Sequence, residues 1–144
     1  MSHADDEQTQ LELPSGYMEK LLESAKGTFW ELLGCRLVKV ERGLVTVALD
    51  VEEFHLNTIG ILHGGVHASL LDNTMGLAAM FMRPHEKIVT TNLNIHYLAP
   101  LEKGTLTVTG TIVHQSRKII TTQGEIYDQT GRLGSWSSAS YRIL

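Results

Sequence analysis

Apolar positions along this chain change period twice. Over residues 15–33, Tyr17, Leu21, Leu22, Phe29, Trp30 and Leu33 recur at helical spacing, with Ser15 as a cap, Gly27 as a break and Gly34 as a stop. Residues 35–40 and 44–51 read as strands joined by a turn at Glu41-Arg42-Gly43, and 52–62 as a loop. Residues 63–82 return to helix and close at Pro84. From there the period is two. Val89, Thr91, Leu93, Ile95 and Tyr97 are predicted to share one face of a strand over 88–98, and Leu106, Val108, Gly110 and Ile112 one face over 105–113. Two further strands, 119–127 and 133–143, flank a hairpin signal at Asp128-Gln129-Thr130-Gly131. A helix, two strands, a long helix and four strands linked by short turns predict an antiparallel α+β fold, not a βαβ array.

The second helix departs from the usual amphipathic pattern. Val66, Leu70, Leu71, Met75, Leu77, Ala78, Met80, Phe81 and Met82 lie all round it, so it is expected to be largely buried with the sheet about it. Between residues 64 and 82 it carries one carboxylate, Asp72. Aspartate is a poor helix former, and a buried unpaired carboxylate is costly. Ala68, Gly76 and Ala79 share its stripe and leave room for a ligand or another backbone. The plain alternative is a core acid satisfied by Asn73 or Thr74.

The same helix opens with His63-Gly64-Gly65. Free first-turn N–H groups, backed by the helix dipole, suit a developing oxyanion. Gly64 and Asp72 are eight residues apart, which is about 12 Å along one helix. One copy cannot bring both to a single carbonyl. Two helices packed antiparallel across a two-fold axis can, so an active site built on these residues implies a homodimer with composite sites.

The chain's 144 residues fit one domain, here taken as 14–144 behind an acidic tail over 1–13. A net charge of -4 gives no electrostatic footprint for nucleic acid. The longest apolar run, Met75 to Met82, falls short of the ~20 residues that span a bilayer, so no membrane partner is expected. Cys35 is the single cysteine, and the first residues lack a basic segment followed by an apolar one. A cytoplasmic location is the expectation. His63 and His67 have the i, i+4 spacing of zinc ligands, but no HExxH is present and Asp72 points elsewhere, so neither metal nor cofactor is expected.

The run Asn57-Thr58-Ile59-Gly60-Ile61-Leu62-His63-Gly64-Gly65-Val66, then Leu70-Leu71-Asp72-Asn73, resembles the hotdog-fold acyl-CoA thioesterases of the phenylacetate-pathway (PaaI-like) group. The strand end Asn94-Ile95-His96-Tyr97-Leu98-Ala99-Pro100 is similar too. The resemblance implies a long central helix wrapped by a curved antiparallel sheet, and hydrolysis of acyl-coenzyme A without metal or serine nucleophile. It implies that Asp72 activates water or attacks the thioester carbon and that the Gly64 N–H polarises the carbonyl. Asn57 and His63 would lie near the thioester, and Thr90 would position water. Asp72 and Thr90 would come from one subunit and Asn57 and Gly64 from the other, in a homodimer that pairs into a dimer of dimers. Gly65 and His96 are expected substrate contacts, although His96 stands where some relatives carry a smaller polar residue. Arg117 and Lys118 are the expected contacts for coenzyme phosphates, because the last strand holds no basic residue before Arg142. Phe54, Met75, Met80 and Met82 are candidates to line an acyl pocket. Two rival readings are a hotdog dehydratase, which pairs a histidine with an acid, and a non-catalytic acyl-CoA-binding protein.

Overall fold

The computed structural model describes residues 11–144. Of the tail expected over 1–13, residues 1–10 lie outside the described residues, while Leu11 and Leu13 pack partly buried against the core. The first helix is divided. Helix α1 spans Tyr17–Ala25 and α2 spans Phe29–Leu33. Gly27, at φ 72°, takes the chain out of helical geometry between them. Gly16, not Ser15, occupies the N-cap position of α1.

Strands β1 (Arg36–Glu41) and β2 (Leu44–Asp50) form the expected hairpin. A short 3-10 turn, Glu53–His55, interrupts the loop that follows. Helix α3 spans Gly64–Met82, and β3 (Ile88–Tyr97), β4 (Thr105–Gln115), β5 (Ile119–Tyr127) and β6 (Leu133–Ile143) complete the chain. All pairings are antiparallel, and the six strands lie in the order β1-β2-β4-β5-β6-β3. The sheet wraps α3 without closing, with α3 touching every strand from β2 to β6. This is the hotdog arrangement. Strand β3 pairs on one side with β6 and stands at the sheet's edge.

The core lies between α3 and the concave face of the sheet. Leu70, Leu71, Met75 and Ala78 from the helix meet Val47, Leu49, Leu106, Val108, Ile120 and Ile126 from the strands. Each fully buried large side chain contributes about 1.5–3 kcal/mol. Gly110 marks the closest approach of sheet to helix. A Cβ there would stand 2.9 Å from the main chain of Thr74 and Met75. Its place in the inward series Leu106, Val108, Gly110, Ile112 therefore serves packing.

The alternation expected for β3 is only half right. Thr90 pairs with Tyr141 and Asn92 with Ser140, so Thr91 is an extra residue in a bulge. The bulge reverses parity. Leu93 and Ile95 turn towards the helix as expected, but before the bulge the inward residues are Ile88 and Thr90. Val89 is 42% exposed on the other face.

Candidate active site

Asp72 sits on the third turn of α3, half-buried, at the border of a cavity of about 350 Å³. Leu21 and Leu22 of α1, Trp30 of α2, Leu77 and Met80 of α3 and Ile88 of β3 form its apolar walls. Of the four expected pocket residues, Met80 borders this cavity and Met82, the last residue of α3, does not. Met75 is wholly buried in the core, and Phe54 lies exposed against the ring of His55.

Neither Asn73 nor Thr74 satisfies Asp72. Thr74 donates to the Leu70 carbonyl at 2.7 Å, and the buried Nδ2 of Asn73 has no partner among the described residues. The carboxylate is held instead by two hydroxyls from neighbouring strands. Thr90 Oγ1 donates to Oδ1 at 2.9 Å, and the Tyr141 hydroxyl donates to the same Oδ1 at 2.9 Å. Oδ2 accepts no hydrogen bond among the described residues. The space expected beside Asp72 is partly taken up. A Cβ on Gly76 would touch Tyr141 at 3.5 Å, and Ala79 is fully buried. Burial pushes the Cys35 thiol up to about 11, which leaves it a thiol and not a nucleophile.

The start of α3 opens on a second cavity, of about 400 Å³, bordered by Asn57, Gly64, His67, Tyr97 and Pro100 among others. His63 is the N-cap, and its Nδ1 accepts from the Gly65 N–H at 2.8 Å. The N–H groups of Val66 and His67 both donate to the His63 carbonyl. That leaves the Gly64 N–H as the first-turn donor with no partner among the described residues. The amide of Gly65, an expected substrate contact, is thus bonded within the chain itself. The side-chain space at these glycines is also occupied. A Cβ at Gly64 would lie 3.3 Å from the Tyr97 hydroxyl, and one at Gly65 would lie 3.0 Å from His63 Nδ1.

Asn57 holds its own loop. Its Oδ1 accepts from the N–H groups of Ile59 and Ile61, which turns the side-chain amide into the loop's donor. His55, 1% exposed, anchors the same loop. Its Nδ1 accepts from the Glu52 N–H at 2.8 Å and its Nε2 meets the Leu33 carbonyl at 2.7 Å. Tyr97 donates to the Gly64 carbonyl at 2.8 Å and packs edge-on against His67. His67 bonds Ser135 Oγ at 2.8 Å, and burial lowers its pKa to about 4, so it is a neutral core histidine. The zinc spacing noted for His63 and His67 therefore joins two rings with separate structural partners.

Asp72 and Thr90 are brought together at one cavity, and Asn57 and Gly64 at another. His96 joins neither; it stacks on Trp136, with ring centres 5.4 Å apart. Arg117 and Lys118 lie exposed in the β4–β5 turn. The Lys118 carbonyl accepts from the Ile143 N–H, and the terminal Leu144 N–H donates to the Lys87 carbonyl. Arg142 pairs with Ile119 in the row next to Tyr141 and Thr90. Lys87, Arg117, Lys118 and Arg142 thus gather at the sheet end nearest Thr90. Of Tyr97 and Tyr141, inward strand parity in the sequence marks Tyr97, and nothing local marks Tyr141.

Residues 59–135 match the family model of the thioesterase superfamily. A protein named as an esterase in Saccharolobus solfataricus is 31% identical over 134 residues, covering 93% of this chain and 95% of that one. Human acyl-coenzyme A thioesterase 13 is 32% identical over 99 residues, 67% of this chain and 71% of the relative. Among solved structures, a single-residue mutant of the phenylacetic acid degradation protein PaaI from Thermus thermophilus superposes with a TM-score of 0.75 at 26% identity. The match covers 81% of this chain and 98% of that one.

Proposed function

The chain belongs to the thioesterase superfamily and is an enzyme of thioester hydrolysis; from that premise we propose that its substrates are acyl thioesters of coenzyme A, cleaved to free acid and coenzyme A at composite sites of a homodimer. The observation that carries this reading is the division of the site. Among the described residues, a carboxylate with one open oxygen faces an apolar cavity, and an unpartnered helix N-terminal N–H faces a second one on the same helix. About 12 Å of helix separates them. Edge strand β3, ten residues long and paired on one side, supports the dimer, because an unpaired edge invites a second strand.

In the joined site Asp72 and Thr90 come from one subunit, and Gly64, Asn57 and His63 from the other. The apolar cavity takes the acyl group. As base, Asp72 accepts a proton from water while the water oxygen bonds the carbonyl carbon. The carbonyl becomes an oxyanion held by the Gly64 N–H. The C–S bond then breaks and the thiolate takes the proton back. As nucleophile, Asp72 bonds the carbonyl carbon and the C–S bond breaks to release thiolate; water then cleaves the anhydride, regenerating the Asp72 carboxylate and the free acid, and a proton of that water goes to the thiolate. Asn57 Nδ2 is the donor that places water. His63 acts by capping: with Gly65 bound to its ring, it leaves Gly64 as the free amide.

Arg117 and Lys118, joined at that end by Arg142, meet the coenzyme phosphates. Pairing of two dimers belongs to the same proposal, and light scattering reads it directly. So does a reducing, cytoplasmic setting, which the half-buried, protonated Cys35 suits. Release of free thiol from a panel of aryl- and alkyl-CoA thioesters, followed with Ellman's reagent, tests the substrate assignment. Turnover of simple thioesters with none on any acyl-CoA overturns it.

A further inference from the structure

The inward residues of β6 are Ser135, Ser137, Ala139, Tyr141 and Ile143, small side chains until the strand reaches Asp72. There a tyrosine lies over Gly76, where an added Cβ would meet the ring at an ordinary 3.5 Å. The ring is 2% exposed. Its one hydroxyl proton lies between two acceptors of Asp72, the main-chain carbonyl at 3.0 Å and Oδ1 at 2.9 Å, and the charged Oδ1 is the stronger of the two. Burial first, then the charge of Asp72, raises the phenol well above its ordinary range, so it remains a donor.

Thr90 is the direct cross-strand partner of Tyr141. Paired residues share a face and stand about 5 Å apart, so their hydroxyls can bracket one acceptor atom. Both reach Oδ1, and neither reaches Oδ2. A carboxylate gripped at one oxygen by two donors no longer turns freely about its last bond.

Resting on Asp72 as the reacting carboxylate, we propose that Tyr141 is a positioning residue that, with Thr90, fixes Oδ1 and reserves Oδ2 for water or the thioester carbon. Tyr141 touches no substrate itself. The competing account is packing alone, with the hydroxyl merely satisfied by a helix carbonyl. The two accounts differ in what Tyr141→Phe does, because phenylalanine keeps the ring and removes only the hydroxyl.

The experiment compares wild type, Tyr141→Phe, Thr90→Val and Asp72→Asn in one thiol-release assay on the best acyl-CoA of the panel, with thermal unfolding followed in parallel. Positioning lowers kcat about tenfold in Tyr141→Phe and leaves KM within about twofold, since hydrogen bonds to a charged group are the strong ones. Thr90→Val gives the same split, and Tyr141→Met, which fills the buried site without a hydroxyl, carries the test if Tyr141→Phe does not fold. A kcat within about twofold of wild type, or a KM that rises as kcat falls, overturns the proposal. Inactive Asp72→Asn beside a normal Tyr141→Phe removes this inference and keeps the hydrolytic reading. An active Asp72→Asn removes both.

Discussion

Thr90 reaches Asp72 because β3 carries one residue too many. The Thr90 hydroxyl lies 2.9 Å from Asp72 Oδ1, yet Leu93 and Ile95 face the same helix from odd-numbered positions. Strict alternation would turn Thr90 to the outer face. The bulge at Thr91 restores it to the inner one. A single inserted residue thus decides whether the carboxylate has this partner, and the catalytic proposals depend on it.

Asp72→Asn keeps the shape and most hydrogen-bonding capacity of the side chain while removing its charge. With Asp72 as base or nucleophile, kcat falls by ~10²-fold or more, and the unfolding temperature changes little. Steady-state thiol release measures it. Retention of more than about a tenth of the wild-type kcat would contradict the assignment, because general base action alone supplies ~10²–10⁴-fold.

Two inactive variants restore each other if the site is composite. The partner for Asp72→Asn is Asn57→Asp, since aspartate preserves the Oδ1 acceptor on which Ile59 and Ile61 depend and removes only the Nδ2 donor. Each parent must first be shown inactive. In a mixed dimer one site inherits both changes and the other neither. Random co-expression makes about half the dimers mixed, so activity returns to about a quarter of wild type. Verified mixed dimers that stay inactive would place acid and amide in one chain.

Replacing both Arg117 and Lys118 by alanine raises KM for acyl-CoA and leaves the matching acyl-pantetheine thioester unchanged. The reason is that pantetheine lacks the nucleotide phosphates these exposed cations are assigned to meet. The difference shrinks as salt is added, because exposed charge pairs are screened. Equal losses on the two substrates would mean that the pair supports the fold.

His67 makes stability pH-dependent. Its folded pKa is about 4 against an ordinary 6.5, so the unfolded chain binds the extra proton between those values. The contribution of the neutral ring is whole above pH 6.5 and is lost as pH falls towards 4. The full loss is at most ~3 kcal/mol. Urea unfolding from pH 7 to 4.5 should show this decline, with a shallower slope in His67→Gln. Equal slopes would assign the decline to other groups.

Residue order alone determined the α+β architecture, the apolar central helix, its single acid and the His63-Gly64-Gly65 start. These are local patterns of period, charge and capping that survive without knowledge of neighbours. The separation of Gly64 from Asp72 was also legible, because helical rise turns eight residues into a distance. Side-chain partners were not. Tyr141 meets Asp72 across 69 positions and Tyr97 meets Gly64 across 33, and no local period reports either contact. Nor does composition reveal a bulge, since Thr91 differs in no obvious way from Thr90. Only the folded sheet decided which oxygen of Asp72 stays open and which amide of the helix start stays free. Both follow from where hydrogen-bond donors and acceptors from distant strands come to rest against one helix.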